Sequence, residues 1–151
     1  QLHTGMYDLG KQKKYAIIIT MNDLEKILYI LNLSDIHKKK TISDIIRTIL
    51  PPIKLKQYLL ITDHTKVFYA SWAFMSKEAS DSFENSTRLL QPKDWNSGNI
   101  PWVIDIVSPL SGTAEGIKEL KNISKLLNVR GTVKFFRNKK GKRELHNVSF
   151  L

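Results

Sequence analysis

At 151 residues and 42% hydrophobic, the chain has enough apolar material for one domain with a proper core. It holds no cysteine, which excludes a disulfide scaffold, thiolate metal sites and a cysteine nucleophile, and fits a reducing cytoplasm. The net charge of +10 favours an acidic partner such as nucleic acid, an anionic membrane or an acidic protein; no apolar run reaches the roughly 20 residues that span a bilayer, so no stable membrane insertion is expected.

Gln1 is not a native first residue, so residues 1–21 are expected to be an N-terminal extension left in part by processing or cloning. Residues 22–151 are then the domain itself. Residues 15–20 read as a short β-branched strand. Asn22 is an expected N-cap with Glu25 three residues on, and Leu24, Ile27, Leu28 and Leu31 make one apolar helix face. That helix should stop near Ser34-Asp35 and leave residues 36–40 exposed and basic. A second helix is predicted up to Leu50, ended by Pro51-Pro52. Residues 57–62 and 67–74 read as a hairpin around a polar turn. Residues 76–90 should be partly helical and residues 92–99 a loop, followed by an apolar strand over residues 101–107. A helix is expected over residues 113–127, with Ile117, Leu120, Ile123 and Leu127 on its apolar side. A last strand pair, 129–136 and 144–150, flanks the turn 138–142. The fold class expected is α/β or α+β, one domain with a central mixed sheet flanked by helices.

Asp105 lies between Ile104 and Ile106 in the apolar strand. A buried carboxylate without a partner costs several kcal/mol, so it needs an ion pair or a task. Strand alternation sets Trp102 and Asp105 on opposite faces and Val103 on the face of Asp105. His37 stands in Ser34-Asp35-Ile36-His37, beside three lysines. By itself such a histidine reads as a solvated surface residue. His3, His64 and His146 read the same way, and none has metal-ligand spacing to another, so no metal is expected. The alternative for His37 is base catalysis. A free lysine amine is only about 0.1% neutral at pH 7.5, so acylating it calls for a base with a pKa near 7. A carboxylate can orient that base.

Six short stretches in order carry a resemblance. They are Ser34-Asp35-Ile36-His37, Leu50-Pro51-Pro52-Ile53, Gln57-Tyr58-Leu59-Leu60, Tyr69-Ala70-Ser71-Trp72-Ala73, Asp94-Trp95-Asn96-Ser97-Gly98 and Trp102-Val103-Ile104-Asp105. Over residues 22–151 the chain resembles the bacterial lysine acyltransferases that activate RTX protoxins. The resemblance implies a fold like that of Gcn5-related N-acetyltransferases, with His37 and Asp105 as the catalytic pair. It also implies an acyl carrier protein as donor with no bound cofactor, an RTX protoxin as acceptor, and a homodimer. Candidate contacts to substrate or donor are Ser34, Lys38, Lys39, Gly98 and Trp102. The acidic carrier would give the +10 charge a partner. No coenzyme A phosphate loop is present; the nearest analogue is Ser111-Gly112-Thr113 at a helix start, which also reads as an ordinary cap.

The chain departs from the family after Asp105, where Ile106-Val107-Ser108-Pro109 replaces the usual Trp-Ile-Ala-Pro. An aromatic residue near the histidine is replaced by Lys40, and Thr48 stands where asparagine is common. The rival reading is a basic nucleic-acid-binding domain without catalysis, with Phe135 and Phe136 interleaved among Lys134, Arg137, Lys139, Lys140, Lys142 and Arg143. It lacks any helix-turn-helix, zinc-finger or RNA-recognition pattern. A third possibility is an inactive relative that only binds protoxin.

Overall fold

The computed structural model describes residues 21–63, 66–86, 88–110, 112–126 and 131–150. Helix α1 spans Asp23–Asn32, and the Asn22 side chain accepts a hydrogen bond from the Glu25 N–H at 2.9 Å. Its apolar face buries Ile27, Ile30 and Leu31. A short 3-10 helix, His37–Lys39, follows and leads to α2, Ile42–Thr48. Thr41 and Asp44 close a reciprocal capping box over the start of α2.

Pro51 and Pro52 do not end a helix here, contrary to expectation; they begin one. Helix α3, Leu50–Leu55, carries both prolines in its first turn, where the missing N–H has no intrahelical partner to lose. It stops at Lys56 in the left-handed conformation, φ 55°.

Strands β1, Tyr58–Thr62, and β2, Val67–Met75, form the expected hairpin. Helix α4 spans Lys77–Asn85, and β3 spans Ile100–Val107. Helix α5, Gly112–Leu126, crosses to β4, Gly131–Lys139, and β5 follows at Lys142–Phe150. The β4–β5 turn is tighter than expected. Lys140 and Gly141 both have positive φ, 50° and 77°, the backbone of a two-residue turn that matches strand twist. The predicted strand at residues 15–20, the turn residues His64 and Thr65, Ser111, and the side chains of Ile123 and Leu127 lie outside the described residues.

The five strands lie in sequence order, antiparallel except for β3 and β4, which run parallel. The expected mixed sheet is therefore present. Helix α1 packs with Ile49 on Val67, Tyr69 and Val107, while α4 covers Ala73, Met75 and Trp102 on the same face. Helix α5 covers the opposite face, with Ile117 and Leu120 against Phe68, Ala70, Val103 and Ile106. Among the described residues no helix is long and apolar enough to cross a membrane.

The α2 cap is pH-sensitive in a defined direction. The Thr41 amide, then its hydroxyl, hold the Asp44 carboxyl below the usual carboxylate range, with Arg47 adding to the effect. A depressed folded value means the contribution is complete above the unfolded range, near pH 4, and disappears as pH falls through the folded value. In an acid titration followed by circular dichroism, Asp44→Asn is expected to lose less stability than the wild type below about pH 4. Identical pH slopes for the two proteins would contradict this.

Candidate active site

Ser34 and His37 belong to one turn after α1, which brings their side chains together. Ser34 Oγ lies 2.8 Å from His37 Nδ1 and also accepts the His37 backbone N–H at 3.4 Å. The ring is thereby held by its own turn. The histidine is not the solvated residue of the bland reading, since its side chain is only 18% exposed.

Asp105 reaches His37 through an irregularity in β3. Ser71 pairs with Asp105 but Trp72 pairs with Val103, so Ile104 is an extra residue opposite no partner. The bulge overturns simple alternation. Ser71 and Ala73 share a face of β2, and their partners Asp105 and Trp102 therefore share a face of β3. Val103 instead joins Ile106 against α5. The expectation that Asp105 faces away from Trp102 and with Val103 fails for this reason.

His37 Nε2 and Asp105 Oδ1 are 3.6 Å apart, in ion-pair range but longer than a direct hydrogen bond. The imidazole is hydrogen-bonded to Ser34 through Nδ1, and not to Asp105. Lys40 Nζ lies at the same 3.6 Å from Asp105 Oδ1, and donates to Thr48 Oγ1 at 3.3 Å. Asp105 is thus a carboxylate, 10% exposed, flanked by two basic groups. Sequence reasoning took Lys40 for part of an exposed basic run; nothing local to residues 36–40 signals a partner on β3.

Beneath the carboxylate lies a polar layer on the same sheet face. The Tyr69 hydroxyl, Ser71 Oγ and Asp105 Oδ2 are buried with no hydrogen-bond partner among the described residues. Burial, and then the Asp105 charge, push the Tyr69 hydroxyl far up; Ser71 is near enough to offset part of that without hydrogen-bond geometry. Tyr69 accordingly stays a neutral phenol at any physiological pH.

β3 and β4 pair at Trp102 with Lys134 and at Val103 with Phe135. Beyond those pairs a cavity of about 320 Å³ opens between the two strands. Ile104, Ile106, Phe135 and Phe136 give it apolar walls, and Ile36, His37 and Asp105 line it with Arg137 and Asn138. A basic nitrogen and a carboxylate therefore share a cleft of mixed lining, polar at His37, Asp105, Arg137 and Asn138 and apolar at Ile104, Ile106, Phe135 and Phe136. Such an arrangement is able to bind an ammonium group and remove its proton beside an apolar chain.

The other candidate residues go elsewhere. Trp102 is fully buried, donates from Nε1 to Ser80 Oγ at 2.9 Å and meets Phe83 edge-on. Gly98 packs against the end of β2; a Cβ there would lie 2.5 Å from the Met75 carbonyl oxygen, which explains the glycine by space alone. Neither residue lines the cavity. Lys38 is paired with Asp35 at 2.6 Å on the surface, and Lys39 is exposed.

The aromatic residues of the nucleic-acid reading are spoken for. Phe135 is buried in the α5-side core, and Arg143 covers the Phe136 ring at 3.3 Å while donating to the Phe83 and Ser86 carbonyls. Lys134 pairs with Glu84 at 2.7 Å. Neither ring therefore stands free on the hairpin surface for a base to stack on.

Over 103 residues the chain is 30% identical to a leukotoxin-activating lysine-acyltransferase of a Pasteurella haemolytica-like species, covering 68% of this chain and 62% of that protein. It is 29% identical over 101 residues to an RTX-II toxin-activating lysine-acyltransferase of Actinobacillus pleuropneumoniae, covering 66% and 63% respectively. Over 77 residues it is 36% identical to a protein-lysine myristoyltransferase of Escherichia coli, covering 50% and 44%. The matched region spans less than two thirds of the length of these curated relatives. The match to the family itself runs over residues 20–150, so nearly the whole chain takes part, and the chain belongs to the RTX toxin acyltransferase family.

Proposed function

We propose that this protein transfers a fatty acyl group from the thioester of an acyl carrier protein to the Nζ of internal lysines in an RTX protoxin. The observation that carries the reading is the placement of His37 Nε2 and Asp105 Oδ1, 3.6 Å apart on the wall of a cleft with one apolar side, in a chain of this family.

The geometry suits a specific division of labour. With Ser34 accepting from Nδ1–H, the lone pair of Nε2 faces the cleft. A lysine nitrogen arriving from the cleft can bridge Nε2 and Oδ1 from one side, at about 2.9 Å from each. Asp105 then binds the acceptor ammonium and balances the imidazolium, and Ser34 fixes the tautomer. His37 takes one proton from the Nζ ammonium and releases it to solvent. The neutral amine attacks the thioester carbonyl carbon, and His37 takes the second proton from that nitrogen as the C–S bond breaks. The thiolate leaves with this proton from the imidazolium, so that one amide, one thiol and one solvent proton result. The acyl chain lies against Ile104, Ile106, Phe135 and Phe136. Direct transfer needs no acyl-enzyme, because a thioester is already activated.

Parallel strands that part around a cleft, with a helix crossing between them, support the resemblance to the Gcn5-related N-acetyltransferase fold. The same reading includes a cytoplasmic site of action and a homodimer. The test is transfer of labelled acyl chain from acyl carrier protein to a co-expressed protoxin. Label on protoxin lysines supports the proposal. Absence of label on protoxin, or a stoichiometric acyl-enzyme that passes its label on at a competent rate, contradicts the function or the direct route respectively.

Charge supports an acidic carrier. Lys38 and Lys39 sit on the 3-10 turn beside His37 in a protein of net charge +10. Raising ionic strength from about 0.05 to 0.2 M shortens the Debye length to about 7 Å and should slow carrier association. Lys38→Glu with Lys39→Glu is expected to weaken the apparent carrier affinity roughly three- to tenfold. Unchanged affinity would mean that these lysines serve solubility alone.

A further inference from the structure

We propose that Lys40 is a positioning residue for this reaction: its ammonium, anchored on Thr48, holds the Asp105 carboxylate toward His37 Nε2. The inference rests on the reading of the site given above.

A carboxylate on a strand is oriented by whatever reaches its oxygens. Asp105 Oδ2 has no hydrogen-bond partner among the described residues, and the Ser71 hydroxyl across the strand pair makes no hydrogen bond either. What remains is Oδ1, at 3.6 Å from His37 Nε2 and 3.6 Å from Lys40 Nζ. His37 has to exchange protons during turnover, so it offers no constant charge. Lys40 does. With its side chain only 20% exposed, it supplies a fixed cation beside a carboxylate that is itself 10% exposed, and this offsets part of the desolvation of the pair.

Lys40 is itself held from two directions. Its backbone N–H donates to the His37 carbonyl at 3.1 Å, which ties it to the turn that carries the imidazole. Its Nζ donates to Thr48 Oγ1 at 3.3 Å, and that hydroxyl donates to the Asp44 carbonyl at 2.7 Å, leaving its lone pairs toward Lys40. One side chain thus links the His37 turn, α2 and β3. Lys40 does not line the cleft. It therefore acts through Asp105 and is not placed as a contact to donor or acceptor.

The test uses the full chain with acyl-loaded carrier and protoxin. Lys40→Met is expected to lower kcat about ten- to thirtyfold while leaving KM for both substrates within about twofold, because productive geometry is lost and not binding. Lys40→Arg, which keeps the charge, should recover most of kcat. Thr48→Val should lower kcat by about threefold in the wild type and have no further effect in Lys40→Met, since the two act in one chain of contacts. Unchanged kcat in Lys40→Met, a raised KM at unchanged kcat, or an acyl group mapped by mass spectrometry to Lys40 itself would each overturn the proposal. A substrate-free measurement separates this from failure of the functional reading. In urea unfolding, Lys40→Met with Asp105→Asn should be no less stable than the worse single variant. Additive losses would show that the pair is not coupled, whatever the enzyme's substrate. A wild type that acylates no lysine, alongside a coupled pair, would overturn the functional reading and with it the catalytic purpose of Lys40.

Discussion

His37→Ala is expected to remove nearly all acyl transfer to lysine, by a factor of about 10³ or more, while the protein remains folded. The side chain lies on the wall of the cleft and its ring is held by Ser34 within one turn, so its truncation is expected to leave the fold in place. Its loss from the site is another matter. The acceptor amine is protonated in water, and among the described residues the other basic group in ion-pair range of Asp105 is the Lys40 ammonium, which is no base. Asp105→Asn should do less damage, roughly 10- to 100-fold, because Nε2 can still take a proton when ammonium binding is weakened. Ser34→Ala should cost least of the three, since backbone and solvent can partly replace its hold on Nδ1. The order His37, Asp105, Ser34 is the discriminating result. Acylation at the wild-type rate by a folded His37→Ala protein would eliminate the base assignment, and with it the proposed reaction path.

Trp102→Ala is expected to be the most damaging substitution for stability, about 4 kcal/mol, as for other fully buried aromatic truncations. The indole fills the centre of the cluster formed by Ala73, Met75, Ala79 and Trp95, and contacts both Phe83 and Phe136. A milder variant, Trp102→Phe, keeps the ring but leaves the buried Ser80 hydroxyl without the indole N–H, and should cost about 1–3 kcal/mol. Urea denaturation measures both. Each variant that still folds should keep its KM for protoxin and carrier, because Trp102 does not line the cleft. A raised KM with unchanged stability would mark Trp102 as a substrate contact.

Much of the secondary structure was readable from local chemistry. Asn22 and Glu25 announce the start of α1, the apolar spacing gives its buried face, and β-branched runs around a polar turn give the β1–β2 hairpin. The two prolines were misread because the same residue that stops one helix is welcome in the first turn of the next, and only the position of Ile49 between α2 and α3 decides which. The Ser34–His37 contact was implicit in three-residue spacing, since a single helical turn closes that distance.

The contacts of Asp105 were of another kind. That a carboxylate within Ile104-Asp105-Ile106 must have a partner follows from desolvation alone, and no tertiary information is needed to say so. Which partners it has depends on the β3 bulge, and a bulge is a property of two strands in register: Ser71 and Trp72 define it as much as Ile104 does. The alternation rule assumes one residue opposite one residue, and it lost its validity at the position that mattered most. Lys40 likewise reads as one more surface lysine until α2 and β3 are set side by side, when Thr48 and Asp105 converge on its ammonium. Caps, periodicity and the demand for a counter-charge are short-range in sequence, so the chain order states them; the identity of the counter-charge is set by packing between elements far apart in that order, and only the assembled sheet supplies it.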